Sequence, residues 1–327
     1  MTASSEGNSL PVALTIAGVD PSGGAGVIAD VRTFAAFGCF ATAAITSLTF
    51  QNTIGVFGAL HQTPETVRAQ VTPIIEDFNV NCAKTGMLPT REVIAEVARL
   101  FRETPLPAPV VDPVMRATSG DDLINDDAVS CLVADLFPLA LVVTPNIPEA
   151  ERLTGLTITD ESGMRQAARI IREMGARAVL VKGGHLASRQ KAESRRQEAD
   201  GRREEADGRR QEADGRRQET RYEGETSALW DEKADTVSAL QGEAIDVLDN
   251  EGRVTVFRDE LIAGGEVHGS GCTLSAAIAA CLGRGQNLEE SIQAAKSFVT
   301  EAIRRSPRLG HGARPLYNDT RHLTRGS

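Results

Sequence analysis

Lysine is scarce in this chain of 327 residues, in which Asp and Glu number 45 against 35 Lys and Arg. The only lysines are Lys84, Lys182, Lys191, Lys233 and Lys296. The formal net charge of −10 argues against nucleic acid as a partner, because a phosphate backbone is bound through clustered Lys and Arg. An acidic, lysine-poor surface also suggests the hypothesis of a high-salt habitat, which predicts that thermal stability rises between low and molar KCl.

The sequence also lacks long apolar runs and paired cysteines. No stretch approaches the ~20 apolar residues that span a bilayer, and the first residues carry no basic segment typical of a signal peptide. The cysteines are dispersed and form neither CxxC nor a Cys/His metal spacing; they are Cys39, Cys82, Cys131, Cys272 and Cys281. We therefore expect a cytoplasmic globular protein with no membrane partner, no disulfide framework and no structural zinc.

Short apolar strands alternate with helical segments along the chain. A strand over residues 12–18 leads through a glycine-rich turn at 19–26 into a helix over 27–37. Further segments repeat the strand pattern, at residues 43–50, 80–87, 109–115, 141–149 and 178–185. This alternation predicts one α/β domain over residues 1–327, a three-layer αβα sandwich around a mostly parallel sheet.

The stretch 266–280 predicts a reactive turn. Gly269, Ser270 and Gly271 precede an Ala-rich helix, and the unpaired N–H groups of a helix start favour an anion such as phosphate. Cys272 lies in the same turn, where a helix N-terminus is expected to bring the thiol pKa towards neutrality and make it a proton acceptor. A small apolar cysteine packed at an ordinary helix start remains the alternative.

Polar residues follow the predicted strands at their carboxyl ends, where ligands bind in open α/β sheets. Any one of these residues alone would indicate only a helix cap or an ion-pair partner, but their recurrence at successive strand ends indicates a site. The residues are Gln51, Asp112, Asn146, Glu149 and Lys182. The amide of Gln51 suits the edge of an aminopyrimidine, carboxylate oxygens suit Mg²⁺, and a lysine suits nucleotide phosphates.

Two familiar phosphate-binding patterns would indicate a different kind of protein. Gly24-x-Gly26-x-x-Ala29 fits the dinucleotide fingerprint in form, but the next strand ends without the acidic residue that a ribose requires. No Gly-x-x-x-x-Gly-Lys-Ser/Thr loop occurs, which disfavours an ordinary P-loop kinase. Asp30, one helical turn beyond Gly26, either points back over the glycine loop or is a solvated helix residue.

A charged insert interrupts the domain at residues 188–242. Near copies of GRREEAD recur at a seven-residue period, but each copy offers only Ala as an apolar residue and carries a helix-disfavouring Gly. We therefore expect a disordered loop over 188–225 in place of a coiled coil. Beyond it, residues 244–248 and 253–257 predict a β-hairpin.

Taken together, the motifs resemble those of the bifunctional hydroxymethylpyrimidine/phosphomethylpyrimidine kinases of thiamine biosynthesis, in the ribokinase-like superfamily. The motifs are AGVDPSGGAG (17–26), QNT (51–53), GM (86–87), DPVM (112–115), TPNxPEA (144–150), VKGGH (181–185), HGSGCTLSAA (268–277), AKSFV (295–299) and GHG (310–312). The resemblance implies two successive ATP- and Mg²⁺-dependent phosphorylations of a small-molecule aminopyrimidine alcohol. We also expect a homodimer.

The resemblance also implies roles for individual residues. Cys272 would be the catalytic base, and Gly269, Ser270 and Gly271 would form the anion hole. The pyrimidine pocket would be lined by Gly18, Asp30, Gln51, Met87 and Val114. The nucleotide would lie near Asn146, Lys182 and Lys296, and the metal near Asp112 and Glu149. The alternatives are a pyridoxal kinase on the same scaffold and a pyrimidine-binding sensor without turnover.

Overall fold

The computed structural model describes residues 10–116, 123–184, 243–262 and 267–317. The predicted charged insert at 188–242 lies outside these ranges. Within them, no helix combines the length and the apolar character that crossing a membrane requires.

Strands and helices alternate as the sequence predicts. The strands are β1 (Val12–Val19), β2 (Phe40–Gln51), β3 (Val56–His61), β4 (Val80–Thr85), β5 (Val110–Val111), β6 (Val142–Val143), β7 (Ala178–Lys182), β8 (Glu243–Asn250), β9 (Arg253–Glu260), β10 (Val267–His268) and β11 (Arg314–Pro315). The helices are α1 (Gly26–Ala36), α2 (Pro64–Asp77), α3 (Arg91–Glu103), α4 (Asp126–Cys131), α5 (Ile147–Thr154), α6 (Glu161–Glu173), α7 (Ser270–Gly283) and α8 (Leu288–Arg304). Short π-helical and 3-10 turns, Leu132–Leu136 and Phe137–Leu139, follow α4.

Within the described ranges the main sheet has nine strands in the order β3-β2-β1-β4-β5-β6-β7-β8-β9. The six central strands, β2 to β7 in this order, are parallel. At one edge β3 pairs antiparallel with β2; at the other, β8 pairs antiparallel with β7, and β9 pairs antiparallel with β8. The three-layer, mostly parallel sheet is confirmed, as is the hairpin of β8 and β9. The sequence prediction missed β3, whose residues are mostly exposed and follow a polar turn.

Helices cover both faces of the sheet. Side chains of Leu14, Ile16 and Val111 pack with helices α2 to α6 on one face, and Ala13 and Val110 pack with α1, α7 and α8 on the other. Helix α7 is buried continuously from Thr273 to Cys281, because small alanine side chains let it lie close to the strands.

The parallel strands end along one edge of the sheet, where the polar residues predicted from the sequence accumulate. Gly18 is the penultimate residue of β1, Asp112 directly follows β5, and Lys182 is the last residue of β7. Backbone hydrogen bonds from Asp112 N to Thr85 O (2.9 Å) and from Lys182 N to Pro145 O (2.8 Å) fix the strand ends relative to one another. The fold thus brings residues far apart in sequence to one place.

Candidate active site

Two helix N-termini meet at this edge of the sheet. Helix α1 follows Ala25 and helix α7 follows Gly269, and neither start has a side-chain cap. The backbone N–H of Gly26 lies close to the Cys272 sulfur and favours its thiolate. Two sets of helix-start amides, with the positive ends of both helix dipoles, therefore border a shared space.

Glycine is required on both sides of this contact. Gly269 has a φ of +86°, and a Cβ there would lie 1.8 Å from the Gly24 carbonyl oxygen. Gly26 has a φ of +58°, and its Cβ would lie 2.3 Å from the Gly18 carbonyl oxygen. Any other residue at 269 would force the two turns apart, and any other residue at 26 would push the start of α1 away from the end of β1.

A lysine ammonium lies beside the start of α7. The Nζ atom of Lys182 would be 3.1 Å from a Cβ built on Gly271, and it lies 2.8 Å from Oδ1 of Asp112. The Lys182 side chain is 11% exposed. A cation and helix-start amides together form the electrostatic environment that binds phosphate oxygens.

Cys272 lies in the first turn of α7, where its side chain interacts with that of Asp112. Burial, followed by the charge of Asp112, raises the pKa of Cys272 to about 12, although Lys84 and the Gly26 N–H lower it. The expectation that the helix start brings this pKa towards neutrality is therefore wrong for the chain itself, because desolvation and a neighbouring carboxylate outweigh the helix dipole. The residue is nevertheless partly exposed, whereas the other four cysteines are buried.

The two predicted metal-site carboxylates lie on either side of Lys182 and interact with it and with each other. Burial would raise the pKa of Asp112, but the charges of Lys182 and Lys84 outweigh burial and lower it. For Glu149 burial dominates, and with the repulsion of Asp112 it raises the pKa to about 7. Oε2 of Glu149 accepts a hydrogen bond from Asn146 N (2.8 Å), and Asn146 Oδ1 caps α5 by accepting from Glu149 N (2.9 Å).

Residues predicted to line the pyrimidine pocket lie around the ends of β1, β2 and β4. The Cε atom of Met87 would be 3.3 Å from a Cβ on Gly18, so these two residues are in contact. The half-buried side chain of Gln51 hydrogen-bonds to Asp20. Val114 is half-buried just beyond β5, and its N–H donates to Asp112 O at 2.8 Å.

Asp30 points inwards from α1 and is fully buried, so the alternative of a solvated helix residue is excluded. Its Oδ2 atom accepts hydrogen bonds from Thr15 Oγ1 (2.7 Å) and Lys84 Nζ (2.8 Å). Its Oδ1 atom is buried with no hydrogen-bond partner among the described residues. One carboxylate oxygen is therefore fixed by the protein while the other is left as an acceptor.

Lys296 lies on α8, where its Nζ is 2.6 Å from Asp246 Oδ2 and 3.0 Å from the Ala244 carbonyl oxygen. Oδ1 of the same aspartate accepts from Gly183 N at 2.9 Å, just beyond β7. Lys296 therefore braces β8 against the segment that follows Lys182, and its predicted contact with a nucleotide stays a prediction.

Sequence reasoning missed Lys84, Asp20 and His268. Lys84 is fully buried on β4 and pairs with Asp30 (2.8 Å), a role signalled only by the presence of a lysine within a predicted strand. Asp20 accepts from Gly24 N (3.1 Å), Ala25 N (2.9 Å) and His268 Nε2 (2.8 Å), so it fixes the glycine loop to the residue before Gly269. Hydrogen bonds from His268, Gln51 and Ser22 lower the pKa of Asp20 despite its burial. The turn-forming sequence DPSGG was the available signal.

A family model described as phosphomethylpyrimidine kinase matches residues 20–216 and 232–317. The hydroxymethylpyrimidine/phosphomethylpyrimidine kinase of Rhizobium meliloti is 40% identical over 310 residues, which are 94% of this chain and 96% of the relative. The thiamine biosynthesis bifunctional protein ThiED of Geobacter sulfurreducens is 38% identical over 303 residues, 93% of this chain but 51% of that protein. The chain thus spans about half of the bifunctional relative.

Solved structures of kinases are similar to this chain in fold. The phosphomethylpyrimidine kinase of Clostridium difficile 630 has a TM-score of 0.65 at 32% identity, covering 90% of this chain and 100% of that one. An ADP complex of Bacillus subtilis pyridoxal kinase has a TM-score of 0.73 at 30% identity, covering 97% of this chain and 100% of that one.

Proposed function

Because the chain belongs to the phosphomethylpyrimidine kinase family, we propose that it transfers phosphoryl groups from ATP to an aminopyrimidine alcohol. The first acceptor is 4-amino-5-hydroxymethyl-2-methylpyrimidine and the second is its monophosphate, which gives the diphosphate used in thiamine biosynthesis. The observation that carries this proposal is the meeting of two uncapped helix starts at Gly26 and Cys272, with the Lys182 ammonium beside Gly271.

The anion hole consists of the turn Gly269, Ser270 and Gly271. Phosphoryl transfer depends mainly on positioning and on positive groups around the moving phosphate, whose charge is spread over its outer oxygens. The α7 amides and Lys182 offer such groups without rearrangement, because the positive-φ turn at Gly269 already directs the helix start at the site. Lys182 and Asn146 lie at the strand ends where the nucleotide is proposed to bind.

In each transfer the acceptor oxygen forms a bond to the γ-phosphorus while the bond to the β,γ-bridging oxygen breaks. In the first transfer the hydroxyl proton passes to the Cys272 sulfur, which must then be a thiolate. Lys84 and the Gly26 N–H favour the thiolate, and Asp112 disfavours it. Neutralising the charge on Asp112 therefore lowers the Cys272 pKa and prepares the proton acceptor.

Asp112 and Glu149 are proposed to hold Mg²⁺. The described residues contain no cluster of three or more His, Cys, Asp or Glu side chains suited to a metal. Two carboxylates nevertheless fit this ion, since Mg²⁺ in kinases is commonly held by one or two carboxylates together with substrate phosphates. Burial raises the pKa of Glu149 to about 7, so a cation bound beside it would favour the carboxylate form. When bound, the ion supplies positive charge to the phosphate oxygens.

The pyrimidine is proposed to lie among Gly18, Asp30, Gln51, Met87 and Val114. Met87 presents a polarisable side chain to the ring, next to Gly18, where a missing side chain leaves room. Gln51 can both donate to and accept from the aminopyrimidine edge. The unpartnered Oδ1 of Asp30 is an acceptor for a ring substituent that carries N–H or O–H.

We also propose a homodimer formed through the hairpin of β2 and β3. Leu48 and Leu60 face each other across this ladder, and they are 40% and 57% exposed. Phe50 on the same face is 55% exposed, and its ring covers Gly58. A second copy would bury these side chains at the sheet edge. Multi-angle light scattering is expected to give a dimer that Phe50→Asp converts to a monomer; a monomeric wild-type chain would contradict the proposal.

Pyridoxal kinase activity is the second candidate, favoured by the likeness to the Bacillus subtilis enzyme. A mass-resolved time course with MgATP and each acceptor in turn distinguishes the two. We expect the hydroxymethylpyrimidine to give a monophosphate and then a diphosphate, with one ADP released at each step. Phosphorylation of pyridoxal alone would overturn the assignment, and binding of the pyrimidine without ADP release would indicate a sensor.

A further inference from the structure

The motif Gly310-His311-Gly312 has no role in the proposed reaction, yet the structure packs it against the loop that follows Gln51. Ala313 N donates to the Thr53 carbonyl oxygen (3.0 Å), and Gly312 N donates to Thr53 Oγ1 (3.3 Å). Residues 310–316 are named here the C-terminal brace.

The glycines of the brace are set by this contact. A Cβ on Gly312 would lie 1.8 Å from the Thr53 carbonyl oxygen, which is backbone and cannot turn away. A Cβ on Gly310, whose φ is +73°, would lie 2.4 Å from Thr53 Oγ1. The brace can therefore approach the Thr53 loop this closely only without side chains at both positions.

The other end of the brace pairs with the segment that leads into the anion-hole turn. Strand β11 (Arg314–Pro315) runs parallel to β10 (Val267–His268), with Arg314 opposite Val267 and Pro315 opposite His268. Ser306 Oγ donates to the Pro315 carbonyl oxygen at 2.8 Å. His268 directly precedes Gly269, so the brace determines where the α7 turn begins.

Arg32 connects the brace to the first glycine loop. From α1, its Nη1 donates to the Gly23 carbonyl oxygen (3.0 Å) and its Nη2 to the Leu316 carbonyl oxygen (3.0 Å). Leu316 is 3% exposed, so this end of the brace is anchored in the protein. One guanidinium thus links the two backbone segments directly, in addition to the path through Asp20 and His268.

We infer that the C-terminal brace is a positioning element for phosphoryl transfer: it holds the Thr53 loop, the first glycine loop and the anion-hole turn in register. Arg32, Gly310 and Gly312 are its positioning residues. The inference rests on the proposed function for what these loops bind, but the coupling among them is a property of the chain itself. Small displacements of such loops matter, because a misplacement of about 1 Å can cost about 10²-fold in rate.

The test is Gly312→Ala. Its Cβ forces the brace from Thr53, so we expect kcat/KM for the pyrimidine to fall by about 10-fold or more, with the KM for ATP unchanged. In hydrogen–deuterium exchange, amides of residues 51–55 and 20–26 should exchange faster together. Gly55→Ala is the matched control, since a Cβ on this glycine in the same loop meets nothing within 4 Å; its kinetics and exchange should match those of the wild type.

Arg32→Met tests the same inference without a steric clash and replaces Gly312→Ala if that variant does not fold. It should lower kcat/KM for the pyrimidine and speed exchange at 20–26, and Arg32→Lys should recover part of both effects. Wild-type kinetics and exchange in Gly312→Ala, or in Arg32→Met, would overturn the inference. If the wild-type chain phosphorylates no pyrimidine, the proposed function fails, and the exchange data alone decide on the brace.

Discussion

The starts of the α-helices in the described part of the protein fall into two groups. Helices α2 to α6 and α8 each begin with a side chain that accepts a hydrogen bond from a first-turn N–H. The capping residues are Thr63, Thr90, Asn125, Asn146, Asp160 and Asn287. Helices α1 and α7 instead follow Ala25 and Gly269, with no side-chain cap.

The capped helix starts contribute to stability, whereas the two uncapped starts are proposed to serve function. A cap contributes about 1 kcal/mol, so the two uncapped starts give up stability that the other helices keep. These two starts are also the ones that contact each other, through Gly24, Gly26, Gly269 and the Cys272 sulfur. No side chain caps the first-turn amides of these two helices, which is the physical basis of the proposed phosphate site.

Removal of the sulfur at the uncapped start of α7 should have the largest effect. Cys272→Ala is expected to lower kcat by about 10²–10⁴, because the proton acceptor is lost, and to leave pyrimidine binding intact. Steady-state kinetics and calorimetry measure the two quantities. Cys281→Ala, at the buried far end of the same helix, is the control and should keep its turnover. Unchanged kcat in Cys272→Ala would remove this residue from the mechanism.

A buried ion pair joins Asp30 on α1 to Lys84 on β4. Lys84→Met leaves the Asp30 carboxylate buried without a cation and should lower the free energy of unfolding by about 3–5 kcal/mol. Urea denaturation measures the loss. The neutral double variant Lys84→Met/Asp30→Asn should recover most of it. A single variant as stable as the wild type would mean that the pair contributes nothing.

A side chain placed at the uncapped α7 start should reduce turnover without unfolding the chain. The Cβ of Gly271→Ala would lie 3.1 Å from Lys182 Nζ and so displace the ammonium; we expect kcat to fall by about 10². Gly163→Ala is the matched control in the capped first turn of α6, where the nearest atom would be 3.5 Å away. If Gly271→Ala and Gly163→Ala have the same kcat, uncapped helix starts have no special role in turnover.

The pH dependence of Cys272 alkylation tests the electrostatics at the uncapped start. A pKa raised to about 12 keeps the thiol protonated at pH 7 to 9, so its reaction with iodoacetamide should be slow there. The rate should continue to rise beyond pH ~10, where an ordinary thiol of pKa ~8.5 has levelled off. Asp112→Asn should speed the reaction at any fixed pH, since it removes a charge that opposes the thiolate. A plateau near pH 7 would show that the helix dipole dominates after all.

The smallest effect is expected at a capped start remote from the site. Asn287→Ala removes the capping box of α8 and should cost about 1 kcal/mol of unfolding free energy. Its kcat and KM values should not change. Loss of activity with intact stability would show that capped starts also serve the reaction.

The sequence predicts most of the fold, because the repeated apolar strands and helical spacings are local signals. Gln51, Asp112 and Lys182 all lie at strand ends, as the sequence predicts. The edge strand β3 escaped prediction, since its pairing with β2 is a tertiary contact and its side chains are mostly exposed. The shortened strand β5 reflects the proline at position 113, which cannot donate to a ladder.

At the site, residue types were easier to predict than their electrostatics. The glycine turn indicated a helix start, and the structure places Cys272 there. The direction of its pKa shift was missed because it depends on burial and on Asp112, which is 160 residues away in sequence. Lys84 and the contact between Asp20 and His268 were missed for the same reason: each depends on a partner that only the folded chain brings near.

A crystal structure of the chain with MgADP, aluminium fluoride and the hydroxymethylpyrimidine tests the central claim most directly. The fluoride group, which mimics the moving phosphoryl, should accept hydrogen bonds from backbone N–H groups of the anion-hole turn Gly269, Ser270 and Gly271, with the pyrimidine oxygen opposite the ADP. A fluoride group bound away from the starts of α1 and α7 would contradict the claim that these uncapped helix ends form the phosphoryl site.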